Sequence, residues 1–247
     1  MILYKIYLFL FSNDLIKLLA KTLIKRKPNK LNILDIGCYI GTFSKVLNDE
    51  LKSLKCKKLF YLIDPNFNLI QKINLVGLNF KFYNLAIHNN NKKKNFFLNN
   101  FFQSSGSSLN KITVNDTLWN FSRKIFSLNF FKKNYSKLQV QCQTLDNFTK
   151  KNNINKIDLL KFDTEGNELN ILKGASKILK NTSIVYFEIL SKKNYFESKF
   201  NKIHNILLKK NFFLYKKKKI ITVSFLSNLI AYDLIYLKNS DYRSIID

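Results

Sequence analysis

The feature that most constrains the fold of this 247-residue chain is a regular alternation of apolar runs and helical segments after Pro28. Each apolar run has the length of a strand, and most of the stretches between the runs have helical spacing. Apolar strands that alternate with helices indicate a mostly parallel sheet with helices on both faces. The runs lie at residues 31–36, 59–63, 80–86, 157–162 and 183–187, and the tail adds strands near 212–215 and 228–237. We therefore predict an α/β fold.

The domain organisation follows from where this alternation begins and where it stops. We predict a single domain over residues 29–247, preceded by a helical segment at residues 1–28 that packs on it. Near residues 99–138 the alternation stops, which indicates an insertion over the sheet edge or the active site. A lysine run at residues 216–219 is predicted to be the solvated tip of a hairpin.

The apolar run at residues 1–11 has two interpretations. It is too short to span a bilayer, which needs about 20 apolar residues, and it does not have the basic, apolar, small-residue order of a secretory signal. Short apolar runs are usually buried in a core, which favours packing on the domain. The alternative is a peripheral membrane contact, in which the lysines that follow the run face anionic headgroups.

The cysteines indicate whether the protein works in a reducing or an oxidising cellular compartment. Cys38, Cys56 and Cys142 are too few and too scattered for a disulfide framework, and none forms a CxxC pair. Free thiols fit a reducing compartment. We therefore expect a cytoplasmic location, with peripheral membrane contact as the open alternative.

The formal net charge of +26 also has two explanations. A nucleic acid, an anionic membrane or an acidic glycan would be attracted to such a chain. However, only three of the 42 basic residues are arginines, whereas a surface selected to clamp phosphates uses arginine more often. Lys, Asn, Ile, Phe and Tyr are all abundant, which indicates a compositional bias of A/T-rich codons. This bias is the favoured explanation of the charge.

Acidic residues follow the predicted strands in a chain that is otherwise strongly basic. In an open parallel sheet, ligands bind beyond the carboxyl ends of the strands, where the strand order reverses. Five of the 16 acids are predicted to lie at such ends, a clustering typical of an active site. They are Asp35, Asp64, Asp163, Glu165 and Glu188.

The loop after the first strand contains two glycines with a defined use. Gly37 permits a tight turn and close ligand approach, and Gly41 lets the next helix begin near the ligand. The middle glycine of the dinucleotide pattern GxGxxG is missing, which disfavours a pyrophosphate ligand and a nicotinamide-linked oxidoreductase. Asp64 follows Gly41 at about the distance at which an acid reaches ribose hydroxyls. A ligand with a carboxylate, an amine and a ribose fits this pattern.

The chain resembles the FkbM family of S-adenosylmethionine-dependent methyltransferases. The resemblance covers about residues 31–190 and rests on motifs in a fixed order. They lie at residues 33–44 (ILDIGCYIGTFS), 63–66, 84–86, 107–109, 144–148, 157–168 (IDLLKFDTEGNE) and 172–175, with Glu188 after them. Asp64 stands where the family more often has Glu.

The resemblance implies a Rossmann-like class I methyltransferase with a seven-stranded, mostly parallel sheet whose last strand runs antiparallel. It also implies S-adenosylmethionine as the cofactor and assigns the residues that bind it. Gly37 and Gly41 would cradle the methionine end, and Asp35 would order their loop. Asp64 would bind the ribose, Asn84 and Ala86 the adenine, and Asp163 would face the cofactor's amine or the acceptor.

Methyl transfer is an in-line displacement, so the protein mainly aligns the reactants and excludes water. An alcohol acceptor also needs a carboxylate or a metal to help it lose its proton. Asp163, Glu165 and Glu188 are the candidate catalytic residues for either role, and an oxygen-only site would suit Mg²⁺. Helix capping is the alternative for Glu165 and Glu168, since acids are favoured in the first turn of a helix. His88 is predicted to be a surface residue rather than a base.

The favoured function is O-methylation of a small molecule or of a sugar in a glycan or glycolipid. A nucleic-acid methyltransferase is the first alternative, but Asp163 and Glu165 would repel phosphates. A non-catalytic, membrane-associated binding module is the second, and the full set of cofactor-type acids argues against it. A fold by itself establishes none of these functions.

Overall fold

The computed structural model describes residues 13–72, 77–100, 106–110, 133–220 and 228–240. Within them, one sheet is formed by seven strands: β1 (Lys30–Ile36), β2 (Lys57–Ile63), β3 (Phe80–Tyr83), β8 (Ile157–Phe162), β9 (Thr182–Lys192), β10 (Phe212–Ile220) and β11 (Leu229–Lys238). Their order in the sheet is β10-β11-β9-β8-β1-β2-β3. Two small ribbons lie beside the sheet, formed by β4 (Ala86–Ile87) with β7 (Cys142–Gln143) and by β5 (Lys94–Asn99) with β6 (Tyr135–Val140).

The strand order reverses between β1 and β8. The chain builds β1, β2 and β3 outwards in one direction, then returns to lay β8 and β9 on the other side of β1. The pairs among these five strands are parallel, whereas β11 is antiparallel to both β9 and β10. The predicted seven-stranded, mostly parallel sheet is therefore present, with β11 as the antiparallel strand. Such a reversal leaves a crevice at the carboxyl ends of the strands.

Helices cover both faces of the sheet. One apolar cluster contains α1 (Asn13–Lys25) and α2 (Thr42–Glu50) against Leu31, Ile33 and Leu159. The other contains α3 (Leu145–Lys151), α4 (Glu168–Lys173) and α5 (Phe196–Leu208) against the opposite faces of β8 and β9. The core strand β8 is buried along its whole length, which explains why four of its six residues are apolar.

The amino-terminal helix α1 packs on the domain through a stripe of buried side chains that includes Leu15, Leu19 and Leu23. Its last turn is held by Arg26, whose Nη2 donates to Ser183 Oγ at 2.6 Å. No helix among the described residues is long and apolar enough to cross a membrane. The apolar run at residues 1–11 lies outside the described residues, as do residues 101–105 and 111–132 of the predicted insertion.

The lysine run at residues 216–219 is not a hairpin tip, and that prediction is wrong. It forms the second half of the edge strand β10, which pairs with Tyr232–Ile235 of β11. Lys217 lies over three aromatic rings, with its Nζ 4.2 Å from the Phe200 ring centroid. Aromatic contacts stabilise the ammonium group, and lysines on an edge strand discourage pairing with other chains.

Two strand boundaries also differ from the prediction. The third strand ends at Tyr83 rather than residue 86, because the chain turns and Ala86 N donates instead to Gln141 O at 3.0 Å. The strand predicted at residues 183–187, which is β9, continues to Lys192 because β11 pairs with it as far as Leu229. Glu188 therefore lies within β9 and not at its end.

Candidate active site

The loops after β1 and β8 meet at the point where the strand order reverses. Gly37 has a φ of 70°, and a Cβ at this position would lie 1.9 Å from the backbone oxygen of Asp163. Asp163 N donates to Ile36 O at 3.0 Å, and Gly37 N donates to Ile63 O at 2.8 Å. Only glycine allows this approach, so the sequence-predicted residues Gly37 and Asp163 are in direct backbone contact.

The loop at residues 37–41, called the glycine loop below, leads into helix α2. Tyr39 and Gly41 both have positive φ values, 51° and 76°, and Gly41 N donates to Cys38 O at 2.8 Å. Gly41 is the N-cap of α2, and no side chain in the described part of the chain caps this helix end. The first backbone amides of α2 therefore carry a partial positive charge suited to a ligand carboxylate.

Asp35 lies beneath this loop and is fully buried. Its Oδ1 is 2.9 Å from Lys161 Nζ, and its Oδ2 accepts from Ser44 Oγ at 2.7 Å. Lys161 Nζ also donates to Gly37 O at 3.2 Å. Burial disfavours the charge of Lys161, but Asp35 and Asp163 raise its pKa above the ordinary value. Asp35 is thus placed to order the glycine loop through Lys161 rather than to touch a ligand.

Asp64 follows β2 and turns both carboxylate oxygens towards backbone amides. Oδ2 accepts from Tyr39 N at 3.1 Å, and Oδ1 accepts from Asn66 N at 2.9 Å. Burial raises the pKa of Asp64 to about 6, although these two hydrogen bonds oppose the shift. Each oxygen retains acceptor capacity, so the carboxylate can also accept from a pair of vicinal hydroxyls.

The adenine-binding positions that the resemblance implies lie in different surroundings. Asn84 is exposed beside Asp64, and its Nδ2 donates to Asp64 O at 3.2 Å. Ala86 is buried in the small β4–β7 ribbon. His88 is 7% exposed and not a surface residue, so the prediction for it is wrong. Burial lowers the pKa of His88, and the positive charge of Lys94 lowers it further.

A group of carboxylates lies beyond the glycine loop. Asp163, Glu165 and Glu188 are half-buried. Desolvation and the charges of Asp163 and Glu165 raise the pKa of Glu188 well above its ordinary value. Desolvation also raises the pKa of Asp163, against the opposing charge of Lys161. Asp163 and Glu165 are therefore both close enough to Glu188 to raise its pKa, although Glu188 comes from the middle of its strand.

The sequence did not reveal a fourth member of this group, Asp233. It lies on β11 directly opposite Glu188, and its Oδ1 accepts from the Tyr186 hydroxyl at 3.0 Å. Desolvation raises the pKa of Asp233 to about 6. Lys161 was also missed as a site residue. In both cases the available signal was a charged side chain inside an otherwise apolar strand, which is rare unless the charge has a partner or a function.

Glu168 does not cap helix α4 in the usual way. Its Oε1 accepts from Gly166 N at 2.8 Å, an amide that precedes the helix, and its Oε2 is 2.7 Å from Lys199 Nζ. The Mg²⁺ site considered for the acids is not seen: among the residues that the structure describes, no three His, Cys, Asp or Glu side chains are arranged to hold a metal ion.

A sheet of this strand order, with a glycine loop after β1, an acid after β2 and carboxylates after β8, defines a Rossmann-like α/β fold with a candidate site where the strand order reverses. The FkbM methyltransferase domain matches residues 35–214, and the chain belongs to this family. Proteins of the family use S-adenosylmethionine as the methyl donor. No protein of curated function matches the sequence.

Several solved structures are similar to this chain. An FkbM methyltransferase from Methylobacillus flagellatus has 14% identity and a TM-score of 0.47, covering 83% of this chain and 44% of that one. The chain thus spans less than half of the Methylobacillus protein. Magnesium protoporphyrin IX methyltransferase from Synechocystis has 10% identity and a TM-score of 0.46, covering 92% and 80%. Precorrin-6y C5,15-methyltransferase from Geobacter metallireducens has 11% identity and a TM-score of 0.45, covering 90% and 87%. At these scores the family match alone carries the assignment.

Proposed function

We propose that the protein transfers a methyl group from S-adenosylmethionine to a hydroxyl oxygen of a small molecule or of a sugar in a glycan or glycolipid. The observation that carries this proposal is the group of interacting carboxylates formed by Asp163, Glu165 and Glu188. A hydroxyl acceptor must lose its proton as the methyl group arrives, and a carboxylate with a raised pKa is a stronger base for that proton.

The residues around the glycine loop fit S-adenosylmethionine by their chemistry. The uncapped amides of helix α2 suit the methionine carboxylate, and Asp64 offers acceptors to the two ribose hydroxyls. The exposed amide of Asn84 lies next to Asp64, where an adenine joined to that ribose would follow. Asp163 is a further acceptor for the amine of the cofactor's methionine part, because the backbone carbonyl of Asp163 packs against Gly37 in the glycine loop.

When bound, S-adenosylmethionine supplies a methyl group on a positively charged sulfur. The residues of this chain then bind and orient the acceptor in line with that group and keep water away. Glu188 is the proposed base, because its desolvation and the charges of four neighbouring carboxylates hold its proton affinity high. Its protonation after transfer leaves the local charge less negative, which the low polarity of the site favours.

The sign of the local charge supports this acceptor class. Asp163, Glu165, Glu188 and Asp233 make this part of the surface anionic, although the chain as a whole carries +26. A phosphate backbone would be repelled at the point of reaction, which disfavours nucleic acid as the acceptor. A neutral polyol would accept and donate hydrogen bonds there without a charge penalty.

The proposal is tested with methyl-labelled S-adenosylmethionine and a panel of sugars, glycolipids and small alcohols. We expect label on a hydroxyl oxygen, and a rate at least about 100-fold lower for Glu188→Gln with unchanged cofactor binding. Glu197→Gln is the matched control, because Glu197 is an exposed acid in the first turn of α5. Label found only on nitrogen or only on nucleic acid would refute O-methylation.

A further inference from the structure

The loop at residues 163–167, between β8 and α4, has an unusual backbone. Glu165 has a φ of 54° and Gly166 has a φ of 107°, so two consecutive residues lie outside the ordinary regions. A non-glycine residue with positive φ is strained, and such strain persists only where surrounding contacts fix it. The contacts that hold this loop are therefore informative about what the loop does.

One set of contacts comes from helices α4 and α5. Glu168 is fully buried, and its Oε1 accepts from Gly166 N at 2.8 Å. Lys199 of α5 pairs with Glu168 Oε2 at 2.7 Å and donates to Leu190 O of β9 at 2.8 Å. Lys199 Nζ also lies 3.4 Å from Gly166 O. The ion pair thus anchors the loop to both a helix and a central strand.

A second set of contacts comes from residues 106–110, which lie far from the loop in sequence. Ser108 is buried, and its Oγ is 3.0 Å from Thr164 O and 2.9 Å from Glu165 O. Asn110 Nδ2 donates to Gly166 O at 2.6 Å. Three consecutive backbone carbonyls of the loop are therefore held by Ser108 and Asn110, in addition to the contacts made by Glu168 and Lys199.

We propose that Glu168, Lys199 and Ser108 are positioning residues for methyl transfer. They hold the 163–167 loop in its strained conformation, so that its two carboxylates stay beside Glu188. The inference rests on the function proposed above and extends it to residues that touch neither the cofactor nor the acceptor. Because the loop begins against Gly37, releasing it also displaces the glycine loop that is to receive the cofactor.

The test is S-adenosylmethionine binding by calorimetry, together with unfolding in urea, for four variants. Lys199→Met removes the ion pair, and Lys199→Arg keeps its charge. Ser108→Ala removes only the hydroxyl and serves if Lys199→Met does not fold. Arg26→Met is the matched control, because it removes a partly buried ion pair and a hydrogen bond to Ser183 near the opposite ends of the strands.

We expect Lys199→Met to bind about tenfold more weakly, which is about 1.4 kcal/mol, and Ser108→Ala to weaken binding in the same direction. Lys199→Arg should bind within about twofold of the native protein, given that both side chains carry the charge. Arg26→Met should lose stability and keep the native affinity. Native affinity in folded Lys199→Met and Ser108→Ala would overturn the positioning role alone. A folded native protein that does not bind the cofactor would overturn the proposed function as well.

Discussion

Lys161 Nζ lies 2.9 Å from Asp35 Oδ1, and the two side chains are 8% and 0% exposed. They belong to neighbouring strands, β8 and β1, at the point where the strand order reverses. Lys161 also holds the carbonyl of Gly37, while the charge of Asp163 contributes to its raised pKa. One buried cation therefore connects the strand pair, the glycine loop and the carboxylate group of the candidate site.

The first prediction concerns this ion pair. Lys161→Met leaves Asp35 buried without its counter-charge, so the free energy of unfolding should fall by about 3–5 kcal/mol. Urea unfolding measures the loss. Lys52→Met is the control, because it breaks an exposed Lys52–Asp49 pair and should change stability by less than about 1 kcal/mol. Adding Asp35→Asn to Lys161→Met should restore part of the loss. Equal effects of Lys161→Met and Lys52→Met would contradict the prediction.

The second prediction separates backbone strain from steric contact at the glycine loop. Gly37 and Gly77 have similar φ values, 70° and 81°, so alanine is strained at both positions. A Cβ at Gly37 would collide with Asp163 O, whereas a Cβ at Gly77 would meet no atom of the described residues within 4 Å. Gly37→Ala should therefore cost at least about 2 kcal/mol more than Gly77→Ala. Thermal or urea unfolding of both variants checks this difference, and similar losses would show that the contact is not tight.

The third prediction concerns pH. The pKa of Asp233 rises from 3.8 in the unfolded chain to about 6, chiefly through desolvation. The native state therefore keeps a proton that the unfolded chain has released, and the stability linked to Asp233 is lost as pH rises through about 6. Asp233→Asn removes this titration and retains an acceptor for the Tyr186 hydroxyl.

The expected result is a variant that gains stability over the native protein as pH rises. The difference in unfolding free energy should be larger at pH 7.5 than at pH 4.0 by about 1 kcal/mol or more. Unfolding in urea at the two pH values measures it. A difference that is the same at both pH values would mean that Asp233 titrates as an ordinary surface carboxylate.

The fold was largely predictable because its buried strands are mostly apolar runs. Strand β8 was predicted with its observed bounds, and β1 and β2 were predicted to within two residues. Parallel strands buried on both faces leave a strong signal, since hardly any polar residue is tolerated within them. The glycines and acids at strand ends were predictable for the same reason, because they interrupt those runs.

The errors arose where long side chains or distant partners decide the structure. The sequence suggests that the lysines of β10 are solvated, but the ammonium group of Lys217 lies over the rings of Phe196, Phe200 and Tyr232. The extent of β9 depends on β11, about 40 residues later, so Glu188 was placed at a strand end. Lys161 belongs to the site because it pairs with Asp35, and Asp233 because it lies opposite Glu188. Both partners are distant in sequence, so no local pattern reveals these contacts.

The most direct test of the account is S-adenosylmethionine binding by calorimetry to the native protein and to Asp64→Ala. Asp146→Ala is the matched control, since Asp146 also accepts from two backbone amides, those of Lys177 and Ile178. We predict that the native protein binds with micromolar affinity and that Asp146→Ala keeps this affinity. Asp64→Ala should bind at least about tenfold more weakly, which is about 1.4 kcal/mol. A folded native protein that does not bind, or an Asp64→Ala variant that binds as tightly, would contradict the assignment of the cofactor site.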